Sequence, residues 1–264
     1  MKKRTVTDQE AIEKIIMKLA YAIKPVPDPF EKTWIKHPIL EHREMVHKNK
    51  NGELYSVDMC HATDKEFVEG INRMKEGNFA LWFHFGINNP YRFAFLKQVA
   101  PYYSAEDLGV IVRTLWHKVE NPAEDPSFSI AELCQLFRDC DPETLMKSGE
   151  RNAIKKMPEI VRVYRATYST EMSNILSVSW TLKPHIAEQD AVKYGRNGLV
   201  YEADIPRKDI LAYYGRSGRA EVVLDPTNIQ NIEVRDESKW SVLSPAHAVQ
   251  IVENALKKDC GITS

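Results

Sequence analysis

From Pro158 onward the chain is written in short β-branched and aromatic runs punctuated by Gly, Asn and Pro. The runs are Ile160–Thr167, Leu176–Leu182, Leu199–Ile205, Ile210–Tyr214, Glu221–Asp225 and Ile229–Val234. That grammar predicts strands. A helix predicted over Pro184–Tyr194 interrupts them, and an amphipathic helix from Ser244 to Lys258 follows, with Ala248, Ile251, Val252 and Leu256 on one face. Three polar residues stand inside the strand-like runs: Arg165, Ser179 and Glu221. An apolar strand has no packing use for an arginine, so this pattern constrains the fold and the chemistry together.

The preceding half reads as helical. Thr7 with Glu10 has capping-box spacing ahead of Ile12, Ile15, Ile16, Leu19 and Ile23. Thr63 with Glu66 opens a second predicted helix carrying Phe67, Ile71 and Met74, and Asn89–Pro90 a third. Ser104 and Ser129 (with Glu132) are N-cap candidates for the next two, and Asp141–Pro142 for the last. The expected class is α+β, with a helical N-terminal region over 1–157 and a second, strand-rich domain over 158–264.

The chain has 264 residues, 43% apolar and 28% charged, which is ample for a core. A net charge of −1 provides no global basic field for nucleic acid, although a local groove is compatible with it. Cys60, Cys134, Cys140 and Cys260 form no CxxC pair, which suits a reducing compartment. The opening MKKRTVTDQEAIEKIIMKLA lacks a continuous apolar region of the signal-peptide kind, so a cytoplasmic location without a membrane partner is expected. His37, His42 and His47 recur at five-residue intervals, about 140° apart on a helix, so no metal is expected there. No GxGxxG or Walker loop is present.

Each inserted polar residue has its own chemistry. Arginine carries a planar fork that never deprotonates and matches phosphate. A serine hydroxyl orders neighbouring oxygens without filling a cleft. A fixed carboxylate stabilises positive charge that develops beside it. Arg165 ends VRVYR, Ser179 begins Ser179-Trp180-Thr181, and Glu221 begins EVVLDP after the turn GRSGRA. In that order the three resemble the motifs of mono-ADP-ribosyltransferases of the Arg–Ser–Glu class, over Pro158–Val234 only.

The resemblance implies an ADP-ribosyltransferase-like fold of two small packed sheets forming an NAD⁺ cleft. It implies Arg165, Ser179 and Glu221 as catalytic residues, and Arg165, Ser179, Thr181 and Tyr194 as the NAD⁺-binding set. NAD⁺ is then a co-substrate. One departure is present. Arginine-modifying relatives carry Glu-x-Glu where this chain has Arg219-Ala220-Glu221, and an arginine repels a guanidinium acceptor. Arg216 and Arg219 become candidates for contact with the acceptor. The implied function is transfer of ADP-ribose to a macromolecule, protein or nucleic acid. The alternatives are an NAD⁺ glycohydrolase or a non-catalytic binding module of the same fold. Stand-alone members of the family are often toxins, phage proteins or defence effectors, which makes the helical region a candidate to bind an inhibitor or antitoxin.

Overall fold

The computed structural model of the protein describes residues 4–22, 26–27, 35–36, 44–48, 54–58, 87–194, 198–215, 218–243 and 245–259. The predicted helix at 63–74, the histidines at 37 and 42, Cys60, Cys260 and Arg216 lie outside them. The chain divides into two units, Met1–Ser129 with Asp139–Leu145, and Ile130–Arg138 with Met146–Ser264. No described helix is long and apolar enough to cross a membrane.

The first unit mixes helices with short strands. Its helices include Gln9–Ala22, Arg92–Val99, Ala105–Lys118 and Pro142–Leu145. Helical spacing buries Leu108, Ile111, Val112 and Leu115 on one stripe of Ala105–Lys118. Ser104 caps that helix by accepting from the Asp107 amide at 3.1 Å. Thr7 does not cap Gln9–Ala22 as its spacing suggests. Asp8 does, its carboxylate accepting from the Ala11 amide at 3.1 Å. The Thr7 hydroxyl is taken by tertiary partners: it donates to the Asp107 carboxylate and accepts from the Ser104 amide at 2.8 Å. Gly109 permits the approach of Pro142–Leu145, because a Cβ there would sit 2.2 Å from the Thr144 hydroxyl.

The first half, read as helical apart from an irregular stretch over Lys24–His37, also carries short strands. β1 (Val26–Pro27) pairs with β2 (Ile35–Lys36), and β3 (Glu44–Lys48) pairs with β4 (Leu54–Asp58), both antiparallel. His47 therefore stands on a strand. Asn51–Gly52 between the alternating EMVHK and LYSVD is a hairpin signal of the ordinary kind.

The second unit carries six strands: β5 (Ile160–Thr167), β6 (Ser179–Thr181), β7 (Leu199–Pro206), β8 (Ile210–Tyr214), β9 (Glu221–Leu224) and β10 (Gln230–Val234). They form one antiparallel sheet in the order β10-β7-β5-β6-β9-β8. The two packed sheets implied by the resemblance are thus a single ladder here. The ladder is nevertheless nearly cut in two. β5 and β7 stay in register from Ile160↔Pro206 to Thr167↔Leu199, whereas β5 and β6 share only Tyr164↔Thr181. β6 is short because Met172–Ile175 turns into a helix and Leu176–Val178 lies outside the strand.

Strand alternation sends two sets of apolar side chains to opposite faces. Val161, Val163, Trp180, Ala203, Ile205, Val222 and Leu224 build the main core. On the other face, Ala187 and Ala191 of the helix Pro184–Val192 pack with Val200, against Tyr164, Ala166 and Trp240. Gly198 allows that closeness, since a Cβ there would lie 2.0 Å from the Ala191 carbonyl oxygen. Near the end of β9, Asp225 takes the Arg138 guanidinium. Burial pushes the neighbouring Cys134 thiol up to about 11, with the Asp225 charge adding to the effect, so it stays protonated at neutral pH.

A buried ionic anchor fixes the same helix to the sheet. Glu188, 1% exposed, accepts from Arg235 Nε at 3.1 Å and from the Ser241 amide and hydroxyl at 2.7 and 2.6 Å. Arg235 also bonds Glu202 at 2.9 Å and lies 5.5 Å from the centre of the Tyr164 ring. Burial alone would raise the Glu188 carboxyl, but the Ser241 and Arg235 hydrogen bonds outweigh it and hold it below the usual carboxylate range. Glu188→Ala would leave Arg235 short of its counter-charge at a cost of about 3 kcal/mol. A lowered carboxylate stabilises the fold above its unfolded-state pKa of about 4.3 and loses that stabilisation as pH falls through the folded value. Urea denaturation should therefore show a wide gap between wild type and variant at pH 7 that narrows below about pH 4.

Candidate functional site

The near-cut between β5 and β6 is where the three polar residues meet. The Leu224 amide donates to the Val178 carbonyl at 2.8 Å, and the Leu182 amide to the Ala220 carbonyl at 3.0 Å. Alternation then turns the backbone groups of Ser179 and Thr181 away from β9, toward β5. Thr181 meets Tyr164 there, and the ladder stops. The Ser179 carbonyl has no β5 residue registered opposite it, and it accepts from Arg165 Nη1 at 2.9 Å instead. A guanidinium completes the pairing that the strand omits.

Ser179 continues the chain of bonds on its side-chain end. Its hydroxyl donates to Glu221 Oε1 at 2.7 Å. β6 and β9 hold the two residues close: Thr181 registers with Glu221, and Ser179 with Val223. Trp180 points the other way, is 2% exposed, and its indole N–H donates to the Ser177 carbonyl at 2.7 Å. The large ring thus anchors β6 in the core while its two neighbours face the site. All three predicted catalytic residues are brought together, each partly accessible.

Thr181, implied by the resemblance as an NAD⁺ contact, has partners within the fold. Its hydroxyl donates to the Arg219 carbonyl at 2.6 Å and accepts from the Lys183 amide at 3.1 Å. It ties the start of the helix Pro184–Val192 to the turn before Glu221. That turn is unusual at Ala220, which has φ +49° and is buried. An alanine in this left-handed region costs about 1–2 kcal/mol relative to an ordinary conformation. The conformation directs the Arg219 carbonyl to Thr181 and starts β9 at Glu221.

Arg219 is also engaged. Its guanidinium pairs with Asp190 of the helix, which in addition holds Lys193 at 2.6 Å. The half-exposed arginine keeps a solvent face, but it braces the turn against the helix as well. Tyr194, 42% exposed, meets Tyr168, 67% exposed, with ring centres 5.5 Å apart and planes inclined at 55°. Tyr168 follows β5 directly, three residues after Arg165. Asp190 and Tyr168 were missed in the sequence. An aromatic just past a strand end was the available signal for Tyr168. The role of Asp190 is set by a tertiary partner and leaves no local mark.

Comparison with family models, curated proteins and solved structures finds no match.

The backbone argument at Ala220 predicts opposite outcomes for two substitutions. Ala220→Val places a β-branched residue at positive φ and should destabilise by about 2 kcal/mol, whereas Ala220→Gly should stay within about 1 kcal/mol of wild type. Equilibrium urea unfolding checks this; equal losses would make packing, not backbone conformation, the constraint.

Proposed function

We propose that the protein transfers ADP-ribose from NAD⁺ to a macromolecular acceptor. The observation that supports this most is the continuous Arg165–Ser179–Glu221 chain, 2.9 and 2.7 Å per link, at the place where the sheet nearly divides. The donor set fits the co-substrate chemically. Arg165 offers a guanidinium for a diphosphate or ribose, Glu221 a carboxylate for a ribose hydroxyl, and the exposed Tyr168–Tyr194 pair an apolar face for a flat ring.

NAD⁺ supplies a glycosidic carbon bonded to a positively charged leaving group. Glu221 would stabilise the positive charge that grows on the sugar as the carbon–nitrogen bond breaks and nicotinamide leaves with the bonding pair. Ser179 would hold the Glu221 carboxylate in one orientation, so the charge need not reorganise during the reaction. Arg165 would offset the negative charge of the diphosphate while its bond to the Ser179 carbonyl keeps it aimed. The acceptor then forms the new bond to the same carbon and releases its proton to solvent. Arg219, two residues before Glu221, disfavours an arginine acceptor by like-charge repulsion, and an acidic side chain or a phosphate-bearing acceptor suits it better.

Glu221→Gln keeps the shape of the side chain and removes its charge. Nicotinamide release should fall by roughly 10²–10³ in kcat while the urea midpoint stays unchanged. Labelled NAD⁺ incubated with a cell extract should leave label on a macromolecule that either protease or nuclease destroys. Release of nicotinamide with no labelled macromolecule would make water the acceptor, and unimpaired release by Glu221→Gln would remove Glu221 from the reaction.

A further inference from the structure

A cavity of about 700 Å³ lies at the other end of β5, lined by the end of the helix Ser148–Lys156, the start of β5 and the turn between β7 and β8. Ile160 opens β5 and Arg165 is its sixth residue, which separates the cavity from the Arg165–Glu221 chain by roughly 17 Å along the strand. Its apolar lining comes from Ile154, Ile160, Pro206 and Ile210. Ile160 is 52% exposed, although it belongs to a strand in register with β7 along its whole length. An isoleucine left open to water there has apolar area available for a ligand.

The remaining lining residues are Lys155, Arg207, Lys208 and Glu159, three cations against one carboxylate. The lining therefore carries a net two positive charges. Arg207 keeps the walls in place. Its guanidinium donates to the carbonyls of Lys155 and Met157 at 3.2 and 2.6 Å, and its amide donates to the Glu159 carbonyl at 2.8 Å. One residue therefore ties the helix end, the approach to β5 and the β7–β8 turn together. The walls are held before any ligand arrives, which lowers the cost of binding.

We infer that this cavity binds a small molecule with an apolar body and an anionic head, a carboxylate, phosphate or sulfonate. The size is that of a small-ligand site. Lys155 and Lys208 would meet the anion at the exposed rim while Ile160 and Ile210 cover the apolar part. This site stands apart from the proposed ADP-ribose transfer and does not depend on it.

The probe is 8-anilinonaphthalene-1-sulfonate, which has both features. Calorimetric titration of the full chain should show a single site, and amide shifts of the ¹⁵N-labelled protein should cluster at 154–160 and 206–210. Lys155→Glu with Lys208→Glu should weaken binding by about tenfold or more, with the thermal midpoint little changed because both side chains are exposed. Ile160→Asp, which spoils the apolar lining at an already exposed position, should also weaken it and carries the test if the double variant does not fold. No binding, affinity unchanged in these variants, or shifts centred on Arg165 and Glu221 would overturn the inference.

Discussion

The bond from the Arg165 guanidinium to the Ser179 carbonyl carries the architecture of the site. A six-stranded antiparallel sheet normally leaves no room between neighbours for a ligand, because each carbonyl finds an amide on the next strand. Here β5 and β6 share one registered pair and then part. An arginine side chain takes over from the absent backbone partner, which satisfies the carbonyl and places a permanent cation at the parting. From that point the order of the remaining groups follows. Ser179 presents its hydroxyl to Glu221 because β6 and β9 remain in register, and Glu221 opens β9 because the turn before it is clamped by Thr181.

Two further devices hold this geometry from outside. Trp180 sits in the core and keeps the three-residue β6 from sliding. Glu188 and Arg235 lock the helix Pro184–Val192 onto β7, and that helix carries Asp190, the partner of Arg219. The turn is thus braced from Thr181 on one side and from Asp190 on the other. A site that depends on charge placement gains from such bracing, since electrostatic stabilisation is lost when dipoles and charges must reorient.

Much of the second unit was legible in the sequence because its signals are local. β5 and β8 match the predicted Ile160–Thr167 and Ile210–Tyr214, and the helix begins at Pro184 as its proline suggests. Arg165, Ser179 and Glu221 were legible because each interrupts an apolar strand. What escaped depends on partners distant in the chain. Thr7 has the spacing of a cap, but its hydroxyl is taken by Asp107, a hundred residues away, and Asp8 caps the helix instead. The bond from the Thr181 hydroxyl to the Arg219 carbonyl, across 38 residues of chain, leaves no local signal. The short β6 also escaped, since Leu176 and Val178 read as strand and are not in it. The strands at β3 and β4 were masked by the helical reading of their surroundings, despite the Asn51–Gly52 signal between them.

The proposed function requires that the divided sheet, bridged by Arg165, form one NAD⁺ site. Calorimetric titration of NAD⁺ into the wild type and into Arg165→Lys tests it most directly. Lysine conserves the charge and loses the two-pronged donor, so one site is expected in the wild type and affinity roughly tenfold lower in the variant, with unfolding otherwise cooperative. Equal affinity in the two proteins, or no binding to either, would contradict it.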